Sequence, residues 1–440
     1  MKATIFLSLF LIGSQFHYYP FIGLHVVQGS YPNTQQRQST LDQECNTGDN
    51  VWHKIIPYNA DFAFRLYKEM SSTIEDKNIL FSPISISSAL AMLSLGAKSE
   101  TQSQIYKGLA FNLSEIEQNE IQKGFCQLIH RLNSRNLKTH VKTGSALFLD
   151  KSLEVLPTFL EDVRHLYDAE DFSIDFLNNT GAKQHINDYV KNKTNGTIIN
   201  SVKYLSKNTR MILVNYILFK GYWEKSFHPD LTIEDFCAYG NTTVKSNMMH
   251  KVALYKFVRD EELFCSVVEV PYSGVAVALF ILPDRGKLKD LESSLVKEDL
   301  DKWRTYFQYK NIDLWIPKFS TYQSYDFKHF LQRLGIRNVF NQHADLSGIT
   351  AEHHLKISEV LHEVVLVINE DGALGGHSME RLSLSRQGLE PSFRGGLGFP
   401  PPPPPPPPPL LMKFDRPFLV FVINSSTGTI LLMGKIVTPN

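Results

Sequence analysis

The four cysteines are the residues whose chemistry depends most directly on spacing. They lie far apart in the chain, at Cys45, Cys126, Cys237 and Cys265. Such spacing fits neither a metal-binding motif nor a disulfide-rich scaffold. We therefore expect buried or free thiols with one bridge possible, and neither a metal site nor another cofactor.

Asparagine side chains offer a second kind of chemistry, N-linked glycosylation. Six of them stand in Asn-x-Ser/Thr sequons: Asn112, Asn178, Asn192, Asn195, Asn241 and Asn424. We predict glycans on the first five. Asn424 lies beside a predicted strand, where a glycan would fit poorly.

A short apolar run begins the chain. In "MKATIFLSLFLIGSQ" one lysine precedes apolar residues that are too few to span a bilayer but typical of a signal-peptide core; a buried N-terminal helix is the alternative. We predict a signal peptide within residues 1–29 and a flexible polar tail over 30–54. Since no later stretch is apolar enough to cross a membrane, we expect a secreted, extracellular protein without membrane contact.

The overall composition is that of a globular protein. Of 440 residues, 43% are hydrophobic and 20% charged, and 45 basic residues balance 45 acidic ones. This balance argues against binding to nucleic acid or to an anionic membrane through bulk charge. The remaining chain, residues 55–440, is long enough for one large domain.

The predicted secondary structure, which positions the functional side chains, changes along the chain. Helical spacing of apolar residues predicts helices in the first half, near residues 59–72, 81–97, 115–132, 156–167 and 182–193. β-Branched and aromatic runs predict strands in the second half, at 211–223, 264–272, 274–283, 311–319, 361–370, 418–423 and 429–437. Helices followed by long apolar strands indicate an α+β fold.

One long segment interrupts this pattern. Residues 372–412 are rich in Gly, Ser, Arg and Pro, and a loop of that length within a domain is either functional or disordered. It contains ten consecutive prolines, Pro400 to Pro409. Because proline lacks a backbone N–H, this tract cannot lie inside a sheet.

Several motifs from residue 55 to the end resemble, in order, those of the serpin family, and most nearly its secreted antitrypsin-like group (clade A). They are "NILFSPISISSALAMLSLGA" (78–97), "NYILFKGYWEKSF" (215–227), "LPDRGKL" (282–288), "IPKFS" (316–320), "LGIRNVFNQHADLSGIT" (334–350), "LKISEVLHEVVLVINEDG" (355–372) and "MKFDRPFLVFV" (412–422). The resemblance implies a monomer with about nine helices, three β-sheets and an exposed reactive-centre loop, here residues 372–413 and unusually long.

The resemblance also implies a mechanism. In inhibitory serpins a protease cleaves the loop and forms an acyl-enzyme, and the N-terminal half of the loop then inserts into the central sheet. The attached protease is distorted before it can deacylate, and the energy comes from the metastable uncut state. The protease supplies every catalytic group, so a protein of this kind is not an enzyme.

Four polar residues match the family's cluster beneath the centre of the sheet, where strands part to admit the loop. They are Ser82, Ser85, Asn215 and His362. A buried hydrogen-bonded group can exchange partners as a sheet opens, which an apolar side chain cannot. The alternative is a helix cap and a core histidine with no role in opening.

Three further residues match the point at which the loop first enters the sheet. There Glu370 could pair with Lys318, and Trp223 would cover the gap. The alternative is a surface ion pair of little energetic consequence.

Counting along the loop from the hinge glutamate Glu370 places the reactive bond between Arg386 and Gln387. About fifteen residues at roughly 3.3 Å each span the sheet, so Arg381 lies too early and Arg394 too late. An arginine before the cleaved bond fits an extracellular trypsin-like serine protease. The alternative is that Arg386 is one solvated arginine among several.

The hinge matches the inhibitory pattern only in part. Glu370, Gly372 and Ala373 fit it, whereas residues 374–377, "LGGH", depart from its run of small residues dominated by alanine. Glycine costs roughly 0.5–1 kcal/mol relative to alanine in a regular element. A non-inhibitory serpin that carries a small hydrophobic ligand, or serves as a binding or storage protein, is therefore the alternative function.

The proline tract lies in the half of the loop that does not insert. As a polyproline II rod it would span about 31 Å and could bind an aromatic groove of a partner. The alternative is an unselected expansion or a gene-model error.

Weak heparin binding is a further hypothesis, through Lys123, Arg131, Arg135 and Lys138. The alternative is that these residues belong to a solvated helix face.

Overall fold

The computed structural model describes residues 45, 49–134, 139–194, 196–352, 354–373 and 407–439, without the side chains of 229–231 and 241. These residues belong to one unit that spans Leu41–Asn440. The predicted signal peptide, most of the predicted tail, the Arg386–Gln387 bond and Pro400–Pro406 lie outside the described residues.

Nine α-helices occur in the described residues. They are α1 (Trp52–Thr73), α2 (Pro83–Ser94), α3 (Ser99–Gly108), α4 (Gln118–Asn133), α5 (Pro157–Tyr167), α6 (Asn179–Lys193), α7 (Leu288–Ser294), α8 (Lys297–Tyr306) and α9 (Lys328–Arg333). None of these helices is long and apolar enough to span a membrane.

Helix α2 shows why the local sequence folds as predicted. Ser82 is its N-cap and accepts a hydrogen bond from the Ser85 N–H, while Pro83 occupies the first helical position. Every residue of α2 is buried, which agrees with its almost wholly apolar sequence, since a helix that is apolar on all sides must be buried.

The described residues also contain fifteen β-strands. They are β1 (Ile79–Phe81), β2 (Thr139–Asp150), β3 (Glu170–Ile174), β4 (Met211–Tyr222), β5 (His228–Cys237), β6 (Thr243–Asp260), β7 (Cys265–Pro271), β8 (Ala276–Pro283), β9 (Gln308–Pro317), β10 (Phe319–Asp326), β11 (Glu359–Asn369), β12 (Gly372–Ala373), β13 (Leu410–Lys413), β14 (Phe418–Asn424) and β15 (Ile430–Ile436).

The strands join into two hydrogen-bonded sheets. A six-stranded sheet has the order β10-β11-β12-β4-β2-β3, and a nine-stranded one the order β1-β15-β14-β8-β7-β6-β9-β13, with β5 paired to β6. The long strand β6 pairs with β5 and β9 over most of its length and with β7 at its C-terminal end. It thereby links two groups of strands, so hydrogen bonding alone does not separate the three predicted sheets.

The seam between β4 and β11 is central to the six-stranded sheet. The two strands pair in parallel from Ile212 and Glu359 to Leu218 and Val365. Beyond that point β12 lies between them, antiparallel to both. One face of this sheet belongs to the main core, and the other packs on α6.

Several elements escaped the sequence analysis for a common reason. Strands β2, β5, β6 and β10 carry many polar side chains, and β6 alternates exposed with buried positions over much of its length. Helices α3 and α8 consist largely of polar and charged residues. Such elements are fixed by their tertiary neighbours more than by local pattern.

The described part of the predicted tail is attached to α4. Cys45 and Cys126 form a disulfide, the one bridge that the sequence left possible, while Cys237 and Cys265 are free thiols. The Gln127 side chain accepts hydrogen bonds from the backbone N–H groups of Val51 (2.8 Å) and Trp52 (3.0 Å). Helix α1 accordingly begins at Trp52, before the residues 59–72 over which the sequence predicts a helix.

Candidate functional site at the seam of the six-stranded sheet

His362 of β11 lies at the centre of the buried polar cluster. Its Nε2 accepts a hydrogen bond from the backbone N–H of Ser82 at 3.0 Å. Its Nδ1 lies 2.7 Å from Oδ1 of Asn215, and since that oxygen can only accept, Nδ1 carries the proton. Strand β11 is thus connected both to the start of α2 and to β4.

Asn215 distributes the remaining bonds across the seam. Its Oδ1 also accepts from the Ser85 hydroxyl at 2.6 Å, and its Nδ2 donates to the Ser85 carbonyl at 2.9 Å. Nδ2 also lies 3.2 Å from Oγ of Ser145 on β2. Thr143 of the same strand meets the Ser85 hydroxyl at 2.9 Å. All four predicted cluster residues, together with these two additional ones, therefore lie together beneath the seam.

The cluster is electrically neutral. Ser82, Ser85 and His362 are fully buried, and Asn215 is 1% exposed. Burial lowers the pKa of His362 to about 3, because a charged imidazolium would be desolvated there. Neutral hydrogen-bonded groups of this kind can be exchanged for a new strand's backbone without separating an ion pair.

The upper end of the seam carries the second predicted group. Lys318 Nζ and Glu370 Oε1 are 2.7 Å apart, with both side chains about three-quarters buried. The Trp223 indole N–H donates to the Asn369 carbonyl at 2.9 Å, and its ring stacks on Tyr272 at a centroid distance of 4.2 Å. Trp223 is 3% exposed and packs at this end of the seam.

A tight turn then sends the chain back into the seam. Oδ1 of Asn369 accepts from the N–H groups of Asp371 (3.0 Å) and Gly372 (3.1 Å), an Asx-turn. Gly372 pairs with Asn369 and Tyr222, and Ala373 pairs with Ile368 and Gly221. The hinge residues Gly372 and Ala373 thus form a short strand between β4 and β11.

Glycine is the residue type that fits at position 372 of this turn. Its φ is +146°, and a Cβ atom there would lie 2.1 Å from the Gly221 carbonyl oxygen and 2.7 Å from the Tyr222 Cα. A side chain would collide with the backbone of β4, so glycine is required by both conformation and space.

A buried carboxyl group lies on the opposite face of β11. Glu363 is fully buried and accepts hydrogen bonds from the hydroxyl groups of Ser324 (2.8 Å) and Tyr322 (3.1 Å) on β10. Desolvation raises its pKa to about 7, against a smaller lowering by hydroxyl hydrogen bonds. No ion pair of Glu363 occurs within the described residues.

Part of this site was not predicted from the sequence. Asn369 and Glu363 were identifiable in principle, since Asn two residues before Asp-Gly is typical of an Asx-turn and a lone Glu in an apolar strand is unusual. Thr143 and Ser145 gave no local signal, because their part in the cluster depends on the pairing of β2 with β4.

The remaining predicted residues are distributed over the surface or lie outside the described residues. Arg386 and Gln387 belong to the latter group. Pro407–Pro409 are exposed and lead directly into β13, which pairs in parallel with β9 at the end of the nine-stranded sheet. Proline is compatible with the approach to such an edge strand.

The sequons differ in accessibility. Asn112, Asn178 and Asn192 are exposed, whereas Asn195 and the Asn241 side chain lie outside the described part. Asn424 is 6% exposed and accepts hydrogen bonds from the turn at Ser426 and Thr427. This agrees with the expectation that a glycan would fit poorly at Asn424.

The basic residues considered for heparin do not form a described cluster. Arg131 lies with its guanidinium 5.0 Å from the centroid of the Trp52 ring, a cation–π contact. Lys123 lies elsewhere on α4, and Arg135 and Lys138 fall in the gap 135–138.

A family model described as Serpin (serine protease inhibitor) matches residues 57–439. This chain is a serpin. Thyroxine-binding globulin of Sus scrofa is 39% identical over 422 residues, covering 95% of the chain and 97% of that protein. Alpha-1-antiproteinase 2 of Equus caballus is 41% identical over 408 residues, covering 92% of each.

Solved structures give the same family. A structure of thyroxine-binding globulin in complex with thyroxine matches this serpin with a TM-score of 0.79 at 38% identity, covering 88% of the chain and all of that structure. The relatives are named as protease inhibitors or as binding globulins. The serpin fold and its place beside antitrypsin-like proteins confirm the resemblance read from the motifs, and the protein is not an enzyme.

Proposed function

We propose that this serpin is a secreted suicide-substrate inhibitor of a trypsin-like serine protease. Strand β12 is the observation that carries the proposal. Its two residues, Gly372 and Ala373, lie between β4 and β11 at the end of the seam where the rest of the loop would begin to insert after cleavage.

The neutral cluster below β12 supports the same mechanism. As the loop advances, β11 and β4 must separate along the pairing from Val365 and Leu218 to Glu359 and Ile212. The bonds of His362 and Asn215 cross this pairing, and none of them is an ion pair. Their separation requires exchange of hydrogen bonds, and the inserted backbone provides new donors and acceptors.

Secretion is part of the proposal. A disulfide joins Cys45 to Cys126, and structural disulfides persist in oxidising compartments. The apolar N-terminal run and the exposed sequons at Asn112, Asn178 and Asn192 agree with passage through the secretory route.

The test is to mix the purified protein with trypsin and look for a complex that survives denaturant. We expect the wild type and the control R394Q to form it and R386Q to lose it, because only cleavage at residue 386 leaves a loop of the right length to insert. Ordinary cleavage alone, without a complex and without a gain in thermal stability of the cut protein, would refute inhibition.

A non-inhibitory carrier of a small hydrophobic ligand is the second candidate. It is favoured by the departure of residues 374–377 from the inhibitory hinge pattern and by the relative named thyroxine-binding globulin. This function requires no insertion, so it predicts that trypsin cleaves the loop and is released active.

A further inference from the structure

A cavity of about 430 Å³ lies away from the seam, between the end of β6, the exposed side of α8 and the start of β9. Its size falls within the range of small-molecule sites. These three elements and the turn after β6 form its walls, so its shape does not depend on the reactive-centre loop.

The apolar surface of this cavity is aromatic. Phe257 is 6% exposed and Trp303 is fully buried, and both line the cavity with Tyr306 of α8. Tyr306 is 64% exposed. An aromatic ligand could cover part of that ring, which otherwise faces water.

Most charges in the lining are already compensated. Arg259 forms a two-point contact with Asp284 at 2.7 and 2.8 Å and also meets Glu261 at 3.1 Å. Lys302 pairs with Asp260 at 3.2 Å and Glu262 at 2.5 Å.

The acidic side chains of the lining are therefore occupied by these two cations. Asp260 in addition accepts the Trp303 indole N–H at 2.8 Å. A cationic ligand would find each of these carboxylates engaged, so the lining does not favour one.

Lys310 is the exception. Its Nζ lies 5.0 Å from the centroid of the Phe257 ring, and within the described residues it forms no ion pair. This leaves a positive charge directly above an aromatic wall of the cavity.

We propose that this cavity binds a small aromatic anion, such as an aryl carboxylate or sulfonate, with its ring against Tyr306 and its charge beside Lys310. The site is compatible with either candidate function, because none of its residues belongs to the seam or to the loop. The outcome of a ligand-binding test is consequently independent of whether the protein inhibits a protease.

The probe for the test is 8-anilinonaphthalene-1-sulfonate, titrated into the full-length protein and followed by fluorescence. We expect K310Q to weaken binding about tenfold, since it removes a charge-assisted contact. Y306A should weaken binding through loss of ring contact. K142Q, which removes a lysine from the distant strand β2, is the matched control and should bind as the wild type does.

An uncharged probe separates the two contributions. N-phenyl-1-naphthylamine should bind K310Q and the wild type equally, while Y306A weakens it. Circular dichroism checks that each variant is folded. The proposal is overturned if the sulfonate does not bind, if K310Q and Y306A bind it like the wild type, or if K142Q weakens it as much as K310Q does.

Discussion

Two neighbouring residues of β11 hold titratable side chains on opposite faces of one sheet. His362 points toward the start of α2, where burial lowers its pKa to about 3. Glu363 points the other way, where burial raises its pKa to about 7. Both shifts have the same cause, since burial disfavours whichever form is charged. At neutral pH the imidazole is uncharged, while the carboxyl group is close to its midpoint.

Substitution of Glu363 should reveal the free-energy cost of burying its ionised carboxylate. A carboxyl group whose pKa rises on folding stabilises the protein fully below its unfolded pKa of about 4.5, and that stability is lost as pH rises through about 7. E363Q keeps the hydrogen bonds without the charge. Its advantage over the wild type in free energy of unfolding should grow by about 2–3 kcal/mol between pH 5 and pH 8, measured by urea unfolding at both pH values.

The control for this measurement is E154Q, which changes an exposed carboxylate and should show the same difference from wild type at both pH values. Protonation of His362 affects the wild type and E363Q alike, so it cancels in their difference. An E363Q advantage that does not vary with pH would show that the buried carboxyl group does not titrate on folding as inferred.

Among the elements, β12 depends on one glycine. G372A would force a Cβ atom toward the Gly221 carbonyl, and the conformation alone costs about 1–3 kcal/mol. We expect β12 to leave the seam. Hydrogen exchange should then rise in peptides that cover residues 219–223 and 366–373, and the free energy of unfolding should fall.

Gly286 provides the matched control, because its φ of +80° is also positive but nothing lies within 4 Å of the position that a Cβ atom would take. G286A should therefore carry the conformational cost without altering exchange at the seam. Equal exchange in G372A and the wild type would mean that the close approach to Gly221 does not hold β12 in place.

At the scale of the whole molecule, the disulfide attaches the segment before α1 to α4. The linked cysteines are 81 residues apart, and a disulfide typically stabilises a protein by about 2–4 kcal/mol, with more stabilisation for longer loops. The double variant C45A/C126A should melt at a lower temperature than the wild type. Dithiothreitol should lower the melting temperature of the wild type and leave that of the double variant unchanged.

C237A serves as the control here, since Cys237 is a free thiol. This single variant should retain the sensitivity of the wild type to dithiothreitol. If the double variant has the same melting temperature as the wild type, the four hydrogen bonds of Gln127 to residues 45–52 suffice to hold the segment before α1 in place.

Much of the site could be identified from sequence because it lies in motifs that are continuous along the chain. "FSPIS" specifies a Ser N-cap and a Pro at the first helical turn, and "NEDG" specifies a turn ending in glycine. The matching strands are apolar runs bounded by turn residues, and they occur close to their predicted positions. Local pattern was sufficient wherever one short segment carries the whole structural requirement.

The family, the positions of the apolar helices and strands, and the polar residues at the seam could be predicted from the amino-acid sequence. The interaction partners of these residues could not, because they follow from the folded arrangement. It placed Gly372 and Ala373 between β4 and β11, joined Cys45 to Cys126, and buried Glu363 away from any cation of the described residues. The physical reason is that strand pairing, desolvation and close backbone approach arise between segments far apart in the chain, and no local pattern encodes them.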